Sequence, residues 1–238
     1  MNYFWSLLPS LFFLSPGAVA APDVREVIGK IEKSLAPENF EGRYFFKNTR
    51  TDGTITEYLV RVRARNVKLQ HISFLAPERE KGREVLRRGD EMWTFVPSVG
   101  RVIKVEDRDS FAGGDFSNAD VLRVDWMAQY EPSLAKETEK QWVFDLVAKA
   151  KGAAYARMRL WVKRENAQPV QQEFFDSNGV LLKRLRYASV TSFGKVTRPA
   201  FLLMENIITH QKTELTIQSL ETGKSIPDQR FVMDNLGK

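Results

Sequence analysis

The chain contains no cysteine and only two histidines, His71 and His210. The first absence excludes disulfides, thiolate nucleophiles, thiolate-bound zinc and lipid attachment at an N-terminal cysteine. The second leaves little for imidazole chemistry, because the two histidines lie far apart, each on a presumed strand. A lone histidine there is ordinarily a packed or surface residue. Neither HExxH nor GxSxG occurs. "TGKS" at 222–225 imitates the tail of a phosphate-binding loop, but Gln218 stands where the loop needs its first glycine.

Charge is missing from the start of the chain, where the first charged side chain is Asp23. The apolar run from Phe4 to Leu14 is too short for a spanning helix, which needs about 20 residues. With the small-residue pattern Ala18-Val19-Ala20 it reads as a secretory signal peptide over 1–20, cleaved after Ala20, although its first residues include no Lys or Arg. Residues 21–238 then form one exported, periplasmic domain. The net charge of +6 belongs wholly to that part. Export argues against nucleic acid as the partner of this basic excess and leaves anionic lipid headgroups, an acidic protein or plain solubility.

What is present is strand after strand. Residues 23–35 form an amphipathic helix, with Val24, Val27, Ile28, Ile31 and Leu35 on one stripe and Pro37 closing it. Beyond it, Asp52-Gly53 and Asn178-Gly179 mark hairpins. About 11–12 strand segments follow one another across short turns, from "EGRYFFKNTR" to "TELTIQS". The pattern predicts a mainly β fold with few helices, in which one antiparallel sheet curls into a full or partial barrel. Apolar residues occur on both parities of "QWVFDLVAK" and "YARMRLWVK". Either helices cover part of the second face, or the sheet encloses an apolar interior.

One segment interrupts the strands: "SFAGGDFSNADVL", residues 110–122. As a calcium loop it fails, because Ala119 fills a ligand position and no terminal Glu completes it. Its glycines lack the following lysine of a phosphate cradle. Ser117 with Asp120 does fit a helix start. Gly113 and Gly114 give hinge freedom, and Phe111, Phe116 and Leu122 supply apolar mass. The segment is therefore either a lid or plug over the sheet, or a static helix that completes the core.

The ordered series Pro77-Glu78-Arg79-Glu80-Lys81-Gly82, Gly89-Asp90, Met92-Trp93, Pro97 and Gly114-Asp115-Phe116-Ser117 resembles the outer-membrane lipoprotein-sorting family, in its LolA-like, treponemal-type branch. Leu160-Trp161-Val162, Pro169, Phe175-Asp176, Gly179, Leu182-Lys183 and Met204-Glu205-Asn206 continue the likeness, which spans about 40–236. Asn118-Ala119 departs from the aromatic-acidic pair usual after the serine. Gly113-Gly114 departs from a hydrophobic residue and serine, which would loosen the tether.

The resemblance implies an unclosed half-barrel whose concave face is covered by helices over an apolar cavity. It further implies a monomeric carrier of lipoprotein acyl chains or another lipid, without cofactor, metal or catalytic residues. Its partners would be an inner-membrane transporter and an outer-membrane acceptor. A sensor on the same fold, binding lipid or a regulatory protein segment, is the alternative; an enzyme on this scaffold is a third reading. The expected cavity walls are Tyr58, Val60, Met92, Trp93, Phe95, Trp142, Phe144, Met158 and Trp161, with Arg61 and Arg63 outside for headgroups, an acidic partner or solvent.

Overall fold

The structure, a computed structural model, describes residues 22–150 and 152–238, so the expected signal peptide lies outside the described residues. Helix α1 (Val24–Leu35) begins where the Asp23 carboxylate accepts the amides of Arg25 and Glu26, and it buries Val27, Ile28, Ile31 and Leu35. Thirteen strands follow: β1 (Phe40–Thr49), β2 (Ile55–Asn66), β3 (Leu69–Ala76), β4 (Glu84–Arg88), β5 (Glu91–Val96), β6 (Arg101–Val105), β7 (Tyr130–Glu137), β8 (Gln141–Ala148), β9 (Arg157–Lys163), β10 (Pro169–Phe175), β11 (Leu181–Phe193), β12 (Val196–Asn206) and β13 (Lys212–Thr222). Two short helices, α2 (Asn118–Leu122) and α3 (Trp126–Gln129), lie between β6 and β7.

All thirteen strands join one antiparallel sheet, in the order β6-β5-β4-β3-β2-β1-β13-β12-β11-β10-β9-β8-β7. The first and last strands pair in the middle, with Phe46 opposite Leu215. The free edges are therefore β6 and β7, consecutive in the chain but at opposite ends of the sheet. The sheet is curled and not closed: an unclosed half-barrel. Segment 106–129 is the connection from one edge to the other.

β7 has no counterpart among the strands expected from sequence. It carries Pro132, and every side chain except Tyr130, Pro132 and Leu134 faces solvent, so its apolar alternation is short. An edge strand tolerates both, because its outer hydrogen-bonding side has no neighbour.

Alternation elsewhere sorts the side chains cleanly. On β2, Tyr58, Val60, Val62 and Ala64 are buried, while their odd-numbered neighbours are partly exposed. They face inward with Phe46, Ile72, Phe74, Val85, Phe144, Met158, Leu160, Leu185 and Leu215, forming the core beneath α1 and the connecting segment. A smaller cluster sits on the outer face, where the chain after β13 lays Ile226, Phe231 and Leu236 against Leu86, Leu69, Trp93 and Phe95. The inner core meets one of the two expectations; the cover over the outer face lies on β3–β5 and not on β8 and β9, where Val143 and Trp161 carry the outer-face apolarity.

Candidate functional site

The 106–129 connection crosses the inner face, and its sequence explains how it sits there. Phe111 and Phe116 enter the core and are nearly inaccessible. Their rings meet Phe46 at 5.2 and 6.1 Å, and Phe111 also stacks on Phe74 at 5.8 Å. The backbone between them folds back, with the Phe111 amide donating to the Phe116 carbonyl and Ser110 bridging Ser117. Gly113 has φ +70° with open space around it, a conformation that suits glycine. Gly114 serves otherwise. A Cβ there would lie 2.4 Å from Asn48 Oδ1 and 2.8 Å from Thr213 Oγ1, so it is a close-approach glycine rather than an open hinge.

That approach allows a row of polar contacts to the sheet. Asn48 Nδ2 donates to the Ala112 carbonyl, and the Asp115 amide donates to Thr213 Oγ1, which in turn donates to Asp115 Oδ2. Two residues on from Asp115, Ser117 forms a capping box with Asp120 at the start of α2. Asp120 Oδ2 also accepts the Tyr155 hydroxyl at 2.8 Å. Lys183, pointing inward from β11, donates to the Asp115 carbonyl at 2.6 Å and to Tyr155 Oη at 3.2 Å. Burial pushes both Asp115 and Asp120 above the ordinary carboxylate range, against the nearby Lys183 charge. It pushes the Tyr155 hydroxyl well up too, with Asp120 adding to the effect.

The far end of the connection is held by ion pairs. Arg87, at the inward parity of β4 with Val85, donates to the Leu122 carbonyl at 2.7 Å and to Asp125 Oδ2 at 2.9 Å. Its side chain is 0% exposed and that of Asp125 10%. Arg123 reaches Asp107 at 3.0 Å and Asp90 at 3.2 Å. Glu32 of α1 accepts the Met127 amide, tying the segment to the helix.

Between α1, the connection and the sheet lies an internal cavity of about 60 Å³, with Phe40, Phe116, Phe174, Leu185 and Leu202 among its apolar walls and Gln172 and Arg198 among the polar ones. A space of that size admits a few solvent molecules and no acyl chain.

None of the nine expected wall residues borders this cavity. Tyr58, Val60, Met92, Phe144 and Met158 lie in the inner core beside it, and Trp142 packs at that core's margin. Trp93 and Phe95 sit on the opposite face under the C-terminal segment. Trp161 also faces outward, paired with Val143, because it has the parity opposite to Met158 and Leu160. Of the expected lid residues, Phe116 borders the cavity, while Phe111 and Leu122 are buried in the inner core. His71 lies 3.4 Å from Glu84 in a pocket beneath the C-terminal segment, away from the inner cavity, and His210 stands in a turn with φ +59° rather than on a strand. Arg61 and Arg63 face outward as expected, and both are near Glu41.

Sequence reasoning passed over Arg87, Tyr155, Lys183 and Gln172. A signal existed for two: Arg87 shares the parity of Val85, and Lys183 that of Leu185 and Tyr187. Charged residues at inward positions on a strand are buried partners, not solvated ones.

A family model described as an "Uncharacterized protein" family matches residues 67–238. The chain belongs to that family, and its fold is LolA-like. A LolA superfamily protein from Nitrosomonas europaea superposes with a TM-score of 0.81 at 23% identity, covering 91% of this chain and 100% of the other. A putative outer membrane lipoprotein-sorting protein domain from Vibrio parahaemolyticus gives 0.79 at 19%, covering 89% and 97%. A search of the curated proteins returned no match.

Proposed function

We propose that the protein is an exported, periplasmic carrier that shields an acyl chain of a lipoprotein or lipid between the half-barrel and its connecting segment. The structure described above is then the empty, closed form. The observation that carries this reading is the burial of Phe111 and Phe116 in the inner core, on a segment tethered at the sheet edges; in this reading cargo takes their place. The similarity to lipoprotein-sorting structures supports the same reading.

Magnitudes favour exchange between plug and cargo. Burying an acyl chain gains about 0.8 kcal/mol per methylene, on the order of 10 kcal/mol for a long chain. Exposing Phe111 and Phe116 costs roughly 1.5–3 kcal/mol each. The chain wins, but by a margin small enough for release at an acceptor. The buried carboxylates are spent on holding the connection, which supports binding rather than catalysis.

The test combines lipid extraction from the gently purified protein, read by mass spectrometry, with binding of a fluorescent fatty-acyl probe to wild type and Phe116→Ala. Acyl lipid should co-purify. Phe116→Ala should lose about 3–5 kcal/mol of stability when empty, lose much less when loaded, and bind the probe more tightly. Absence of both lipid and probe binding would sink the carrier; probe affinity unaltered by Phe116→Ala would sink the plug.

A further inference from the structure

Beside the inner cavity, at the end of the sheet where β8 turns into β9, an open cleft of about 850 Å³ enters the protein. That volume is in the range of ligand sites. Its floor is apolar and small, with Ala153, Ala154 and Leu182 packed against the core. Its rim is cationic: Arg108, Lys149 and Lys183 line it, against the single carboxylate of Asp176 among the described lining residues. No hydrogen bond or ion pair engages Arg108 among the described residues, and it is exposed. Lys149 donates to the Met127 carbonyl and stands 4.0 Å from Glu131.

Lys183 links this cleft to the plug. Its ammonium has three donors and, among the described residues, its hydrogen bonds go to neutral oxygens, the Asp115 carbonyl and the Tyr155 hydroxyl. Tyr155 connects the walls of the two spaces. It lines the cleft, its ring packs at 4.5 Å on Phe174, and its hydroxyl donates to Asp120, both of which line the inner cavity. A chain entering along Ala153, Ala154 and Leu182 would meet Tyr155 and then the inner cavity.

We propose that this cleft receives the anionic headgroup, carboxylate or phosphate, of a single-chain amphiphile, and that the headgroup draws Lys183 away from the Asp115 carbonyl and thereby frees the plug. This rests on the carrier reading and adds the chemistry of the cargo and the trigger of opening. A charged acceptor binds an ammonium more strongly than a carbonyl does. Arg108 and Lys149 supply the remaining donors. The alkyl chain follows the alanine floor toward the space that the plug vacates.

The test measures affinity of the purified chain for hexadecanoate, hexadecyl phosphate, hexadecanol and inorganic phosphate, in wild type, Lys183→Met and Arg108→Ser. Both charged amphiphiles should bind wild type more tightly than hexadecanol by on the order of tenfold to a hundredfold, the worth of charge-assisted hydrogen bonds. That preference should shrink in Lys183→Met and, because Arg108 is exposed and its loss leaves the fold intact, in Arg108→Ser as well. Inorganic phosphate should bind far more weakly than hexadecyl phosphate; equal affinity would make this a free-anion site and overturn the proposal. Equal affinity for hexadecanoate and hexadecanol in all three proteins would overturn it while leaving the carrier standing. Failure of every long-chain compound to bind would remove both.

Discussion

The two ends of the 106–129 connection are fastened by different chemistry. At the Leu122–Asp125 end, Arg87 of β4 meets the Asp125 carboxylate and Arg123 meets Asp90 of the β4–β5 turn, with Arg87 sealed from solvent, while Arg123 also pairs with Asp107 at the connection's own start. At the Ala112–Asp120 end the partners are hydroxyls, amides and carbonyls, and among the described residues the ammonium of Lys183 makes no direct contact with a carboxylate. A buried ion pair is hard to break because parting it strands two charges in a low dielectric. Contacts to neutral oxygens can be exchanged for similar ones in water or on a ligand. One end is built as an anchor and the other as a latch.

Removing the anchor should give the largest effect. Arg87→Ala strands Asp125, whose Oδ1 already lacks a partner among the described residues, and leaves the Leu122 carbonyl with Gln70 alone. A loss of about 3–5 kcal/mol in unfolding free energy is expected, read by denaturant titration. A loss no larger than that of an exposed arginine such as Arg43 would show that the anchor contributes nothing.

The latch should respond more gently, and with a sign in pH. Burial holds the Asp120 carboxyl above its unfolded value, so the folded state takes up its proton more readily than the unfolded one. Between those two values Asp120 lowers stability as pH rises. Asp120→Asn keeps an acceptor for Ser117 and Tyr155 without the charge. The variant should therefore gain stability relative to wild type as pH rises above the unfolded carboxylate range, about 4. Asp145 on the outer face behaves oppositely: Arg159 holds its carboxyl low, so its contribution is present at neutral pH and lost on acidification. A difference between Asp120→Asn and wild type that stays flat with pH would remove the charge from the latch.

Much of this was legible in the chain. Period-2 alternation on β2, the Asp52-Gly53 and Asn178-Gly179 turns, the stripe of α1 and the Ser117–Asp120 helix start each state their structure locally, and the fold followed. The site was less legible, for three physical reasons. Parity decides which face a residue takes, but not what covers that face: Trp93 and Phe95 are apolar because the segment around Phe231 and Leu236 lies on them, 130 or more residues away in sequence. The glycines of 113–114 look alike, yet one adopts a positive φ and the other makes room for Asn48 and Thr213. Finally, Tyr155 and Lys183 meet Asp115 and Asp120 only because the open sheet brings β11 and the β8–β9 turn beneath the connection.

The most direct measurement is hydrogen exchange along the connection, in the purified chain with and without bound hexadecanoate. The account predicts that loading raises exchange at residues 111–120 and leaves residues 122–127 protected, because cargo releases the latch and not the anchor. Exchange that is unchanged throughout while the fatty acid is bound, or that rises first at 122–127, would contradict it.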